Sequence, residues 1–183
     1  MRLKEHNLEH NYKVFSSDFV IQNQATLMND VRVGMEKFRD NFGTSDSTYT
    51  YSKYNVFSLT ATSLTFYSLY KDLTFAIKDY MNTSDPIWFQ SWINFHKTEE
   101  VLKWHDHEFP FHGYITIDPK NTITEFKNYQ IKNEVGNIYI GPGHRPHRVN
   151  VIEPFDGERI TLGFDLITKG NDKINLLGLI PIV

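Results

Sequence analysis

The chain has 183 residues, 40% of them hydrophobic, which suits one compact domain with a sizeable core. A formal net charge of −3 and a pI near 6.2 give no electrostatic reason to expect a nucleic-acid or membrane partner, so a small-molecule or peptide substrate is expected instead. With no cysteine, disulfides, thiolate metal sites and cysteine nucleophiles are excluded, and any metal must sit on nitrogen or oxygen.

The opening stretch MRLKEHNLEHNYK is polar, and no apolar run approaches the ~20 residues that span a bilayer, which predicts an intracellular, cytoplasmic protein. From Ala25 to Phe38 the apolar residues Leu27, Met28, Val31, Met35 and Phe38 recur at three- and four-residue intervals, one face of a helix that Gly43 is placed to end. Gly43 to Tyr54, rich in Ser, Thr and Tyr, reads as a loop entering a strand through Tyr51, Lys53 and Val56. A second helical stripe runs through Phe66, Leu69, Tyr70, Leu73, Ile77 and Tyr80, with its stop at Asn82 to Pro86.

After Pro86 the pattern changes to short β-like runs: IWFQSWINF, VLKWHDHEF, HGYITI, TITEFKNYQI, NIYIGP, HRVNVI and RITLGFDLI. Turns at Asp118 to Asn121, Glu134 to Asn137 and Pro154 to Glu158 space them as two small sheets folded over a common interior. The expectation is a single, mainly β domain with N-terminal helices (α+β). Residues 1–86 form a helical and mixed support region, 87–168 the β core and 169–183 a C-terminal tail strand.

Within a strand, alternate side chains share a face, so His105 and His107 project together while Trp104, Asp106 and Glu108 point the other way. A third imidazole from a separate strand, such as His147, would complete a facial set of three ligands and leave positions open on the ion. The competing reading is a solvated histidine pair with no metal. His112, Tyr114 and Thr116 share one face of the next strand and would line a pocket beside the ion, where the Tyr114 hydroxyl could reach a carboxylate. Trp92 and Asn94 share a face of the first β run. His144, Arg145 and Arg148 flank His147 on a Pro- and Gly-rich turn that reads as solvated.

The segment Gly136-Asn-Ile-Tyr-Ile-Gly-Pro142-Gly-His-Arg-Pro-His147 resembles the second motif of the cupins and the 2-oxoglutarate/Fe(II) oxygenases. These families share the double-stranded β-helix, a jelly-roll fold. The pair His105-x-His107 resembles the cupin first motif, with His112 where a cupin glutamate would stand. Arg159-x-Thr161, twelve residues past His147, resembles the oxygenases' Arg-x-Ser/Thr, which implies that both residues hold the far carboxylate of 2-oxoglutarate. From residue 88 to 168 the chain is similar to a small oxygenase group found in bacteria and phages, which implies that Asn94 touches 2-oxoglutarate and, for a phage-encoded chain, a host cytoplasm.

The resemblance therefore implies a non-haem hydroxylase. Fe(II) would sit on His105, His107 and His147, the co-substrate 2-oxoglutarate on Arg159, Thr161, Tyr114 and Asn94, and no catalytic residue would act beyond the metal centre. The better-known oxygenases carry Asp or Glu at the position of His107. Three neutral ligands leave the full charge of a divalent ion, which the 2-oxoglutarate dianion could neutralise. Two alternatives stay open: a cupin-type dioxygenase or isomerase that does not use 2-oxoglutarate, and a non-catalytic β-helix module.

Overall fold

The computed structural model describes residues 1–42, 48–49, 55–60, 63–168 and 179–182. Its first elements come from sequence without β alternation. Strand β1 (Arg2–Asn7) is exposed along nearly its whole length and pairs with β2 (Tyr12–Ser16), the turn between them held by Asn11 at φ 50°. Ser17 then caps helix α1 (Asp18–Gln22), its hydroxyl accepting the Val20 N–H.

Helix α2 (Gln24–Phe42) buries Leu27, Val31 and Met35, as their spacing predicts. The two-residue strand β3 (Thr48–Tyr49) follows, and Val56 opens a short helix α3 (Val56–Leu59) rather than continuing a strand. Gly43, Tyr51 and Lys53 lie outside the described residues. Helix α4 (Leu64–Met81) begins at a Ser63 cap on the Phe66 N–H and ends where Asn82 adopts the left-handed conformation. Its stripe buries Phe66, Leu69, Leu73, Ala76 and Ile77.

The remaining strands are β4 (Ile87–His96), β5 (Phe111–Asp118), β6 (Thr122–Phe126), β7 (Gln130–Lys132), β8 (Asn137–Pro142), β9 (His147–Val151), β10 (Arg159–Thr168) and β11 (Ile180–Ile182). The main antiparallel sheet runs β1-β2-β8-β5-β10-β4-β11, with β3 also on β4, and a small sheet runs β7-β6-β9. Two sequence expectations change here. TITEFKNYQI is a hairpin of two strands, since residues 127–129 turn between β6 and β7. VLKWHDHEF forms no regular strand: Pro110 lacks a donor, and the segment is tied to its neighbour by only a few backbone bonds.

The two faces of the main sheet differ in chemistry. Ile93 and Phe95 of β4, Ile115 and Ile117 of β5, Ile138 of β8 and Leu162 and Phe164 of β10 form one core with the helices. Each such side chain contributes about 1.5–3 kcal/mol of burial. The opposite face carries Trp92, Asn94, His112, Tyr114, Arg159 and Thr161 and, together with residues of the small sheet, lines a cavity. Among the described residues, no helix is long and apolar enough to cross a membrane.

Candidate metal centre

His105 and His147 face each other across a two-way backbone bridge, each N–H donating to the other's carbonyl at 3.0 and 2.9 Å. The Val149 N–H donates to Leu102 and the His107 N–H to Gly143, which holds residues 102–107 extended beside β9 and its preceding turn. Extended backbone is all that alternation needs. His105 and His107 are half-buried, whereas Trp104, Asp106 and Glu108 are exposed. One ligand atom from each of His105, His107 and His147 lies within 4.8 Å of the others, so the triad could hold a metal ion. The ring centroids of His105 and His147 are 4.3 Å apart, and those of His107 and His147 5.4 Å.

Hydrogen bonding selects which nitrogen is free. His105 Nδ1 is 2.7 Å from the Lys103 carbonyl and His147 Nδ1 is 3.1 Å from the Arg145 carbonyl. A carbonyl only accepts, so both Nδ1 atoms carry the proton and both Nε2 atoms keep the lone pair a metal needs. Burial, reinforced by the neighbouring His105, holds His147 down to about 3. Burial likewise lowers His105, against the opposing pull of the Lys103 carbonyl. Both rings are therefore neutral at pH 7.

His112 is 2% exposed and stacks on both His107 and His147, each at 4.5 Å between centroids and 16° between planes. Burial first, then the adjacent His147, drives it well below the ordinary histidine range. Its Nε2 has no hydrogen-bond partner among the described residues. It lies outside the three-nitrogen cluster yet lines the same cavity.

Arg159 lines that cavity too. It is 2% exposed and donates through Nε to Thr122 Oγ1 and through Nη1 to Thr161 Oγ1, both at 3.3 Å. Those two bonds use two of the five guanidinium N–H groups, and no carboxylate pairs with it among the described residues. Burial lowers it to about 10, so it stays protonated at neutral pH. Asn94 Nδ2 donates to Thr161 Oγ1 at 3.2 Å, while Asn94 Oδ1, the Tyr114 hydroxyl beside Thr124 and Thr116 Oγ1 are enclosed without aligned partners among the described residues. Burial also raises the Tyr114 phenol, keeping it a neutral donor. The cavity is small, about 40 Å³, and Trp92 walls it by lying across Gly163, where a Cβ would come within 2.6 Å of the indole.

The residues singled out from sequence, His105, His107, His147, Arg159, Thr161, Tyr114 and Asn94, thus come together around one cavity. His144 is exposed, and Arg148 is engaged with Glu125 at 2.8 Å and with the Trp104 ring. Sequence reasoning missed Asp165, 0% exposed, whose Oδ1 is 2.7 Å from His107 Nδ1 and whose Oδ2 accepts from Gln90 at 3.0 Å. The signal was available: Arg159, Thr161, Gly163 and Asp165 repeat at the two-residue period of one strand face.

No protein-family model matches the sequence, and no curated protein matches it significantly. Solved structures do. A non-haem α-ketoglutarate-dependent carbocyclase, SnoK from nogalamycin biosynthesis, has a TM-score of 0.61 at 10% identity, over 87% of this chain and 80% of that one. HygX from Streptomyces hygroscopicus with nickel and 2-oxoglutarate bound gives 0.58 at 12%, over 92% and 88%. IDO from Bacillus thuringiensis gives 0.52 at 8%, over 88% and 95%. At such identities the likeness carries the fold: this is a double-stranded β-helix, mainly β with N-terminal helices. Within it, three histidines could hold a metal ion.

Proposed function

We propose that the chain is a non-haem Fe(II)- and 2-oxoglutarate-dependent oxygenase that hydroxylates a small-molecule or peptide substrate. The observation that carries this reading is Arg159, a buried cation without a carboxylate partner among the described residues, opening on the cavity that the three histidines border. An unpaired buried charge is costly, and a ligand carboxylate would offset that cost. The planar guanidinium fork suits a carboxylate in particular. The bound nickel and 2-oxoglutarate of HygX support the same pairing of ligands on this fold.

His105, His107 and His147 would hold the metal, which, together with 2-oxoglutarate and oxygen, supplies the oxidation of a substrate C–H bond. The residues of this chain then have defined work. Arg159 and Thr161 grip the far carboxylate, and Tyr114 and Asn94 offer their unspent polar atoms to the rest of the co-substrate. Trp92 closes the wall against water. The proton on each Nδ1 of His105 and His147 stays with its backbone carbonyl, so neither ring needs to lose one to bind the ion.

A cupin-type enzyme that binds its substrate directly to the metal is the second reading. It is favoured by His112, the fourth imidazole, which stands beside the triad where a cupin glutamate would be. Anaerobic titration with Fe(II) and 2-oxoglutarate separates the two. The first reading expects a weak visible charge-transfer band in the wild type. In Arg159→Ala, 2-oxoglutarate affinity should fall by about 100-fold or more, the cost of truncating one member of a buried charged pair. A wild type that binds Fe(II) but gives no band with 2-oxoglutarate rejects the first reading and leaves the second.

A further inference from the structure

We infer that Asp165 is a positioning residue for the metal centre: its carboxylate anchors His107 through Nδ1, turns Nε2 toward the ion, and supplies beside the ligands the negative charge the ligands lack. This rests on the proposed metal centre and goes beyond it. Of the three ligand histidines, two have Nδ1 fixed by a backbone carbonyl, so His107 is the odd one out. Its Nδ1 faces Asp165 Oδ1 at 2.7 Å instead, in a fully enclosed position. The contact is a close approach without an aligned hydrogen bond, and neither atom has another hydrogen-bond partner among the described residues.

Asp165 is itself held in place. Its other oxygen accepts from Gln90 Nε2 at 3.0 Å, and β10 keeps it opposite Gln90 on one side and His112 on the other. No lysine or arginine pairs with it among the described residues. A buried carboxylate with an amide and an imidazole for partners is expensive to retain, and a divalent ion on the far side of that imidazole gives it a compensating positive charge. Carboxylate–histidine–metal relays fix the tautomer and make the ligating nitrogen more basic, and losing the outer partner costs about 10–100-fold in metal affinity. A centre of three neutral imidazoles thus regains an anion one residue removed from the ion.

The test is a Co(II) titration of the full-length, metal-free chain, read by the visible ligand-field spectrum, for the wild type and Asp165→Asn. Asparagine keeps the volume and can still accept from Gln90. Cobalt affinity should drop 10–100-fold and the spectrum should shift, while the melting temperature of the metal-free chain changes by no more than a few degrees. Equal affinity and an unchanged spectrum in Asp165→Asn would overturn the inference and leave the centre intact. A wild type that binds no Co(II) would remove the centre, and this role with it. A measurement on the wild type alone covers a variant that fails to fold. Nitrogen NMR of the Zn(II)-loaded chain should find the proton of His107 on Nδ1 and the metal on Nε2, and the reverse assignment rules Asp165 out as the anchor.

Discussion

Strand β10 holds two molecules' worth of chemistry on its two sides. Ile160, Leu162, Phe164 and Leu166 face the helices and join one apolar core, while Arg159, Thr161, Gly163 and Asp165 face the small sheet. All eight are buried. Folding alone accounts for the first set, because each apolar side chain gains from leaving water. It does not account for the second, where a cation 2% exposed and a carboxylate 0% exposed lie in one strand without pairing with each other. Burial that stabilises and burial that waits for a ligand are distinguished by whether the polar groups are satisfied.

Substitutions on the two sides should therefore differ in sign. Leu162→Ala removes a side chain at the centre of the apolar face and should cost about 2–5 kcal/mol in denaturant unfolding, with or without ligand. A smaller and opposite effect is expected across the strand. Arg159→Met removes a buried charge that has no carboxylate partner among the described residues and should raise the stability of the ligand-free chain by about 1–3 kcal/mol. Adding 2-oxoglutarate with a divalent metal should then raise the melting temperature of the wild type more than that of the variant, since only the wild type keeps the guanidinium proposed to receive the carboxylate. A destabilised ligand-free Arg159→Met would mean that the guanidinium is a structural element and would dissolve the contrast.

Local pattern made much of this legible. The helix stripes of Leu27, Val31 and Met35 and of Phe66, Leu69 and Leu73 are buried as their spacing requires. The two-residue period likewise put Asn94 with Trp92 and Tyr114 with His112 on the cavity side. What local pattern misses is pairing between distant segments. Strand β1 is RLKEHN, an exposed edge with no alternation, and it becomes a strand because β2 behind it pairs with β8 more than 120 residues later. The segment 101–109 has the alternation of a strand but too few ladder bonds to be one. Asp165 went unread because its partner, His107, meets it only after β10 and the His105–His147 bridge are both in place.

His105, His107 and His147 are proposed to ligate one ion through Nε2 while Arg159 receives a carboxylate in the same cavity. A crystal grown with Mn(II) and 2-oxoglutarate, with anomalous data to locate the metal, tests it most directly. The expected result is a single strong anomalous peak about 2.1–2.3 Å from the three imidazole nitrogens, with the far carboxylate of 2-oxoglutarate on Arg159 and Thr161. A crystal with no peak among these rings, or with one ligated by other residues, would mean that the three histidines do not form a metal centre.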